Sequence, residues 1–202
     1  TSDIVKRIHA ATIEYGKGQA SEWSGLLRSV ESIDDLRRSS AYFMENMEKT
    51  SLNAMSPLLY RVLEEKISIT NRQVDALMQV DPTLNREHAI VIALNFKTRA
   101  WAEGFLPIFD QFNTSEAFGA KVCKTDSHIY FMTQQDYKAG EEIWISYGTR
   151  DIYDYAIDYD FFDPKAVHSK NFAARGSQFT NNEFETSVIQ YAATKHDIDI
   201  SN

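Results

Sequence analysis

With 202 residues, 43% of them hydrophobic, the chain is long enough for one substantial domain or two small ones and can bury a real core. Its formal charge of -8, with basic residues scattered apart from the pair Arg37-Arg38, argues against a nucleic-acid-binding surface, which needs clustered Lys and Arg to neutralise phosphates. The single cysteine, Cys123, excludes an intrachain disulfide and a multi-thiolate zinc site, and His9, His88, His128, His168 and His196 stand in no metal-ligand spacing, so no metal is expected.

The first hundred residues read as helices. Ile4, Ile8, Ala11 and Ile13 recur near a 3.6-residue period, and a break at Gly16-Lys17-Gly18 precedes Ser21, Trp23 and Leu26-Leu27. Ser32 starts a run through Asp35 to Met47. Met55 to Ile67 forms a helix with Pro57 in its first turn, and Thr70 caps a separate helix from Arg72 to Val80, ended by Asp81-Pro82. Asn85 or Thr83 then opens an apolar helix reaching about Ala102, with Ala89, Ile92, Ala93 and Phe96 on one face.

The texture changes at Gly104. Phe105-Leu106-Pro107, Ala120 to Cys123, His128 to Thr133 and Glu142 to Ser146 are short, rich in β-branched and aromatic residues, and read as strands. Ile143-Trp144-Ile145 is apolar on both faces, so that strand is expected to be central or covered on both sides. A helix follows from about Ile152 to Tyr159, then Phe161-Phe162-Asp163-Pro164 and a further helical pattern near Asn182 to Ala193. The longest mainly apolar stretch, Ala89 to Phe96, is too short to span a bilayer, so a soluble protein is expected. The chain opens on Thr1 with no leader pattern, and is expected to be a processed form or a piece of a longer protein.

Two segments carry the chemistry: Leu106-Pro107-Ile108-Phe109-Asp110-Gln111-Phe112-Asn113-Thr114-Ser115, and Ala139-Gly140-Glu141-Glu142-Ile143-Trp144-Ile145-Ser146-Tyr147-Gly148. Together they resemble the SET-domain pair written vPlaDmfNHs and aGEEifisYG. Tyr159-Asp160-Phe161 falls where the family has Tyr-Gly-Phe, Thr98-Arg99-Ala100-Trp101 is similar to its Ser-Arg-x-Phe, and Gly18-Gln19-Ala20-Ser21-Glu22-Trp23 resembles its GxxSxW helix junction. The last two mark the branch with a large helical insert, that of the Rubisco large-subunit methyltransferases. The chain departs from the family at Thr114, where His is usual, and at Asp160, where Gly is usual. The family's leading strand-rich segment with its Gly-x-Gly turn has no counterpart ahead of the helices, so the resemblance is to the C-terminal part of such a protein.

The resemblance implies an α+β fold: a helical bundle insert over residues 1–102, a small SET-type sheet of short strands over 103–163 and a C-terminal helical tail over 164–202. It implies methyl transfer from S-adenosylmethionine to a protein lysine. Tyr147 would be the catalytic-site phenol. Asn113 would hydrogen-bond the cofactor, the backbone of Thr114 would meet the adenine edge, Arg99 would approach the cofactor carboxylate, and Phe161 would pack on the adenine. A buried asparagine turn and the strand-end phenol would thus converge on one cleft. The expected partner is a protein substrate inside the cell, in a chloroplast or other organelle, the cytoplasm or the nucleus. Two other readings stay open: a catalytically degenerate SET-derived module acting as a structural or binding subunit of a larger assembly, favoured by Asp160 and the missing Gly-x-Gly, and an unrelated α+β interaction protein. Each functional residue also has a plain structural reading: a turn for Asn113, a helix end for Arg99, a strand end for Tyr147 and core packing for Phe161.

Overall fold

A computed structural model describes residues 3–100, 104–115, 119–147 and 152–159, the backbone alone at 152–154. Phe161, Asp160 and the helical pattern near Asn182 to Ala193 lie outside the described residues. The architecture is α+β, with α1 (Asp3–Gly16), α2 (Ser24–Leu27), α3 (Ile33–Ser39), α4 (Asn46–Met55), α5 (Pro57–Val80) and α6 (Arg86–Arg99) preceding the hairpin β1 (Ala120–Lys124) and β2 (Ile129–Thr133), then α7 (Ile152–Asp158). Among the described residues no helix is long and apolar enough to cross a membrane.

Helix starts follow local chemistry. Ser32 and Asp35 close a capping box at α3, Ser56 accepts from the Leu59 amide with Pro57 in the first turn of α5, and Asn85 accepts from the Glu87 and His88 amides at α6. The run from Ser32 to Met47 is nevertheless broken. Ser40 leaves the helix in extended conformation and accepts from the Tyr42 amide, starting a short turn at Ala41–Phe43 ahead of α4. The expected division at Thr70 does not occur, and α5 runs unbroken for 24 residues, about 36 Å. Thr70 is fully buried, and its hydroxyl donates to the Lys66 carbonyl one turn back at 3.0 Å, so it serves inside a helix instead of capping one. α6 stops at Arg99, because Ala100 is already extended.

α5 is the spine. One half packs against α1 and α6 through Val74, Leu77, Val5, Ile8, Ile92 and Phe96, and the other against α4 and α7 through Leu59, Leu63, Leu52 and Ile157. α6 is covered on all sides: beyond the face turned to α1 and α5, Val91 and Leu94 pack on Leu36 of α3. Its buried Asn95 accepts from the Glu31 amide at 2.9 Å and donates to the Glu31 and Val91 carbonyls, pinning the chain entering α3.

The hairpin pairs Ala120 with Thr133 and Lys124 with Ile129. The expected strand Glu142 to Ser146 is reduced to Ile145, and Phe105-Leu106-Pro107 forms no strand. Ile145 is nevertheless central, bridged in parallel to Thr114 and to Ala120, and is 2% exposed. Gly119 passes so close to this strand that a Cβ would stand 0.8 Å from the Trp144 carbonyl oxygen. Gly119→Ala is therefore expected to destabilise the protein by about 1–3 kcal/mol or more in urea unfolding, and an unchanged midpoint would contradict the close approach.

Candidate functional site

The two motif segments come together through their backbones. The Ile145 amide donates to the Asn113 carbonyl at 2.9 Å, and the Ser115 amide donates to the Ile145 carbonyl at 3.0 Å. The Tyr147 amide donates to the Thr114 hydroxyl at 3.1 Å, and the Tyr147 phenol donates to the Phe112 carbonyl at 3.0 Å. Three aromatic rings fix this arrangement from behind: Phe131 of β2 stacks on Phe109 at 3.9 Å and meets Phe112 edge-on at 5.8 Å. The turn that feeds the second segment needs its glycine. The Glu141 amide donates to the Lys138 carbonyl at 3.1 Å, and Gly140, third in that turn, has φ of 90°.

A cleft of about 420 Å³ opens between these segments and the helices, within the roughly 300–1,000 Å³ usual for small-molecule sites. Arg99, Asn113 and Tyr147 all line it. A second hollow of about 260 Å³ shares Thr98, Arg99, Asp110, Tyr147 and Tyr159 with the cleft, so these residues stand where the two spaces meet. Three of the expected site residues are thus brought together.

Thr114 is not among the lining residues; its hydroxyl is spent on the Tyr147 amide. Asn113 differs from the expected buried turn: it is exposed, and its side-chain amide donates to Glu142 at 2.7 Å. The cause is the register. Pairing with Ile145 is made by the Asn113 carbonyl, which leaves its side chain at the mouth of the cleft. Arg99, the last residue of α6, donates to the Ser29 carbonyl, and Gln111 donates to the Ser29 hydroxyl at 3.1 Å, so one serine ties the helix end to the first motif.

Several lining residues carry no signal in the sequence. Lys66 of α5 pairs with Asp158 of α7 at 2.5 Å, and Lys97 of α6 donates to the Lys66 carbonyl at 3.2 Å. Burial pulls the Lys97 ammonium below its usual range; nearby Asp158 opposes this and Lys66 adds to it. Asp110 lies in the Phe109–Gln111 turn behind Ile108, a β-branched residue held at φ 73°, a strained conformation of the kind that gathers at functional sites. The Asp110 position is visible only as a letter of the first motif.

Burial raises the Tyr147 phenol above its ordinary value near 10; Arg99 opposes the shift and Tyr155 adds to it. The ring is tilted 30° against Tyr159 at 4.8 Å. At neutral pH the phenol is a protonated dipole held by a carbonyl. Among the described residues no group of His, Cys, Asp and Glu could hold a metal ion.

No known protein family, curated protein or solved structure matches this chain.

Because the folded Tyr147 value is raised, the protonated phenol contributes to stability fully below about pH 10, and that contribution is lost as pH rises through the folded value. The ζ-carbon resonance of isotope-labelled Tyr147 should titrate later than that of an unfolded tyrosine. Titration at or below the unfolded value would contradict the burial described.

Proposed function

We propose that the cleft is the methyl-transfer site of a SET-type protein-lysine methyltransferase, a small sheet carrying the site behind a helical insert. The observation that carries this reading is the parallel pairing of Asn113–Ser115 with Ile145, which gives Asn113 and Tyr147 a shared wall with Arg99. The cleft has the volume and mixed polarity for a nucleoside-sized donor, and a guanidinium suited to a carboxylate.

S-adenosylmethionine, when bound, supplies a methyl on a positive sulfonium, which passes in line to a neutral lysine amine. The chain's own residues orient and desolvate. Arg99, held through the Ser29 carbonyl, presents a fixed cation to the donor's carboxylate. Asn113 offers an amide at the mouth, which must leave Glu142 to reach a ligand. Thr114 acts through its backbone and holds Tyr147 by its hydroxyl. The Tyr147 phenol, kept protonated by burial, acts as an oriented dipole and not as a base. The half-buried walls around Tyr147 and Tyr159 favour loss of the amine proton, because removal from water disfavours the charged form.

A second reading, a SET-derived binding subunit without turnover, is favoured by a different observation. The Asn113 amide and the Tyr147 phenol are both engaged within the fold, so these residues also have structural work.

Titration calorimetry with S-adenosylmethionine separates the readings. The methyltransferase reading predicts saturable heat, and in the Tyr147→Phe variant retained binding with methyl transfer to lysine-rich peptides lowered roughly a hundred-fold or more. Heat with no transfer in the parent protein would favour the binding subunit; absence of heat at millimolar ligand would remove the methyltransferase reading.

A further inference from the structure

The least explained group in the cleft is a carboxylate. Asp110 is 8% exposed, and among the described residues neither of its oxygens has a hydrogen-bond partner. It lines both the main cleft and the adjoining hollow, as do Arg99 and Tyr147. The nearby donors have other acceptors: Arg99 the Ser29 carbonyl, Lys66 the Asp158 carboxylate, Lys97 the Lys66 carbonyl and Tyr147 the Phe112 carbonyl. An ion removed from water without a partner is costly, and native folds rarely leave one. Poor packing does not explain it, since the same molecule gives its buried Asn95 three hydrogen bonds.

We infer that Asp110 is the acceptor for an alkylammonium group of a ligand seated in this cleft. Asp110 belongs to the lining of both spaces, and a carboxylate whose oxygens are closed off from solvent without a partner calls for a donor that also brings positive charge. An ammonium supplies both, with three N–H groups on a compact cation. An anion would be repelled, and a neutral donor would leave the charge uncompensated. A metal ion lacks ligands, because the described residues hold no group of three or more His, Cys, Asp or Glu side chains that could bind one. The inference rests on the methyl-transfer reading for the two sources of that ammonium: the α-ammonium of the donor's amino-acid part, or the ε-ammonium with which a target lysine arrives.

The test compares wild type with Asp110→Asn by titration calorimetry against two pairs of probes. S-adenosylhomocysteine is paired with methylthioadenosine, which lacks the amino-acid part, and Nα-acetyl-lysinamide with its norleucine counterpart. In wild type one ammonium probe should bind more tightly than its uncharged twin. Asp110→Asn should weaken that probe by about ten- to a hundred-fold and leave the twin unchanged. The responding pair identifies the source. The ligand-free variant should also melt about 2–8 °C higher, since it no longer buries an unpaired charge. Equal binding within both pairs, unchanged ammonium affinity in the variant, or a lower melting temperature would overturn the inference. If neither adenosine compound binds while the lysinamide responds, the methyl-donor reading fails and the role of Asp110 stands.

Discussion

The structure around the cleft depends on one short run of backbone pairing, Asn113 to Ser115 beside Ile145. Ile145 spends both its amide and its carbonyl on that partner, while the carbonyl of Trp144 accepts from the Ala120 amide on the other side. With side chains alternating between faces along an extended chain, a slip of one residue would turn Tyr147 away from the cleft and bring Ser146 in its place. Three features hold the register: the nearly complete burial of Ile145, the Thr114 hydroxyl on the Tyr147 amide, and the stacked Phe109 and Phe131 behind the first segment. Gly119 adds a negative constraint, because only a residue without a side chain can pass the Trp144 carbonyl at that distance.

The helices give this pairing a rigid wall. α6 is buried on every face from Val91 to Phe96, so its C-terminal turn delivers Lys97, Thr98 and Arg99 to the cleft from a fixed position. α5 and α7 close the opposite side and are joined by Lys66 and Asp158, a pair whose partners are too buried for water to replace either one cheaply. The result is a small space bordered by several charges, with Lys97 pulled toward its neutral form by burial and Asp110 without a partner among the described residues. A low-dielectric site of this kind strengthens interactions with whatever enters it, which suits recognition of a ligand carrying both signs of charge.

Local features were legible in the sequence to the extent that their causes are local. Ser32, Pro57 and Asn85 mark helix starts because a cap is made by neighbouring residues, and the hairpin strands follow from short β-branched and aromatic runs between turn residues. Thr70 misled because its hydroxyl can cap a helix or bond back to the carbonyl one turn earlier, and in this fully buried position it does the second. Glu142 to Ser146 read as a strand because Ile143-Trp144-Ile145 is apolar, yet a strand needs continuous pairing, and among its residues only Ile145 forms bridges. In the site, Asn113 and Tyr147 were named from the two motif segments and Arg99 from the shorter likeness at Thr98-Arg99-Ala100-Trp101, and all three line one cleft. The exposure of Asn113 was not legible, since it follows from which of its groups pairs with Ile145. Lys66, Lys97 and Asp158 sit on three helices far apart in the chain, and no spacing rule links them.

The central claim is the pairing itself, and amide hydrogen exchange followed by NMR tests it most directly. The account predicts that the Ile145 and Ser115 amides exchange slowly, with a scalar coupling across the bond from the Ile145 N–H to the Asn113 carbonyl. Exchange of both amides at the rate of an unstructured chain, with no such coupling, would mean that the two segments do not meet and that the cleft they border does not exist.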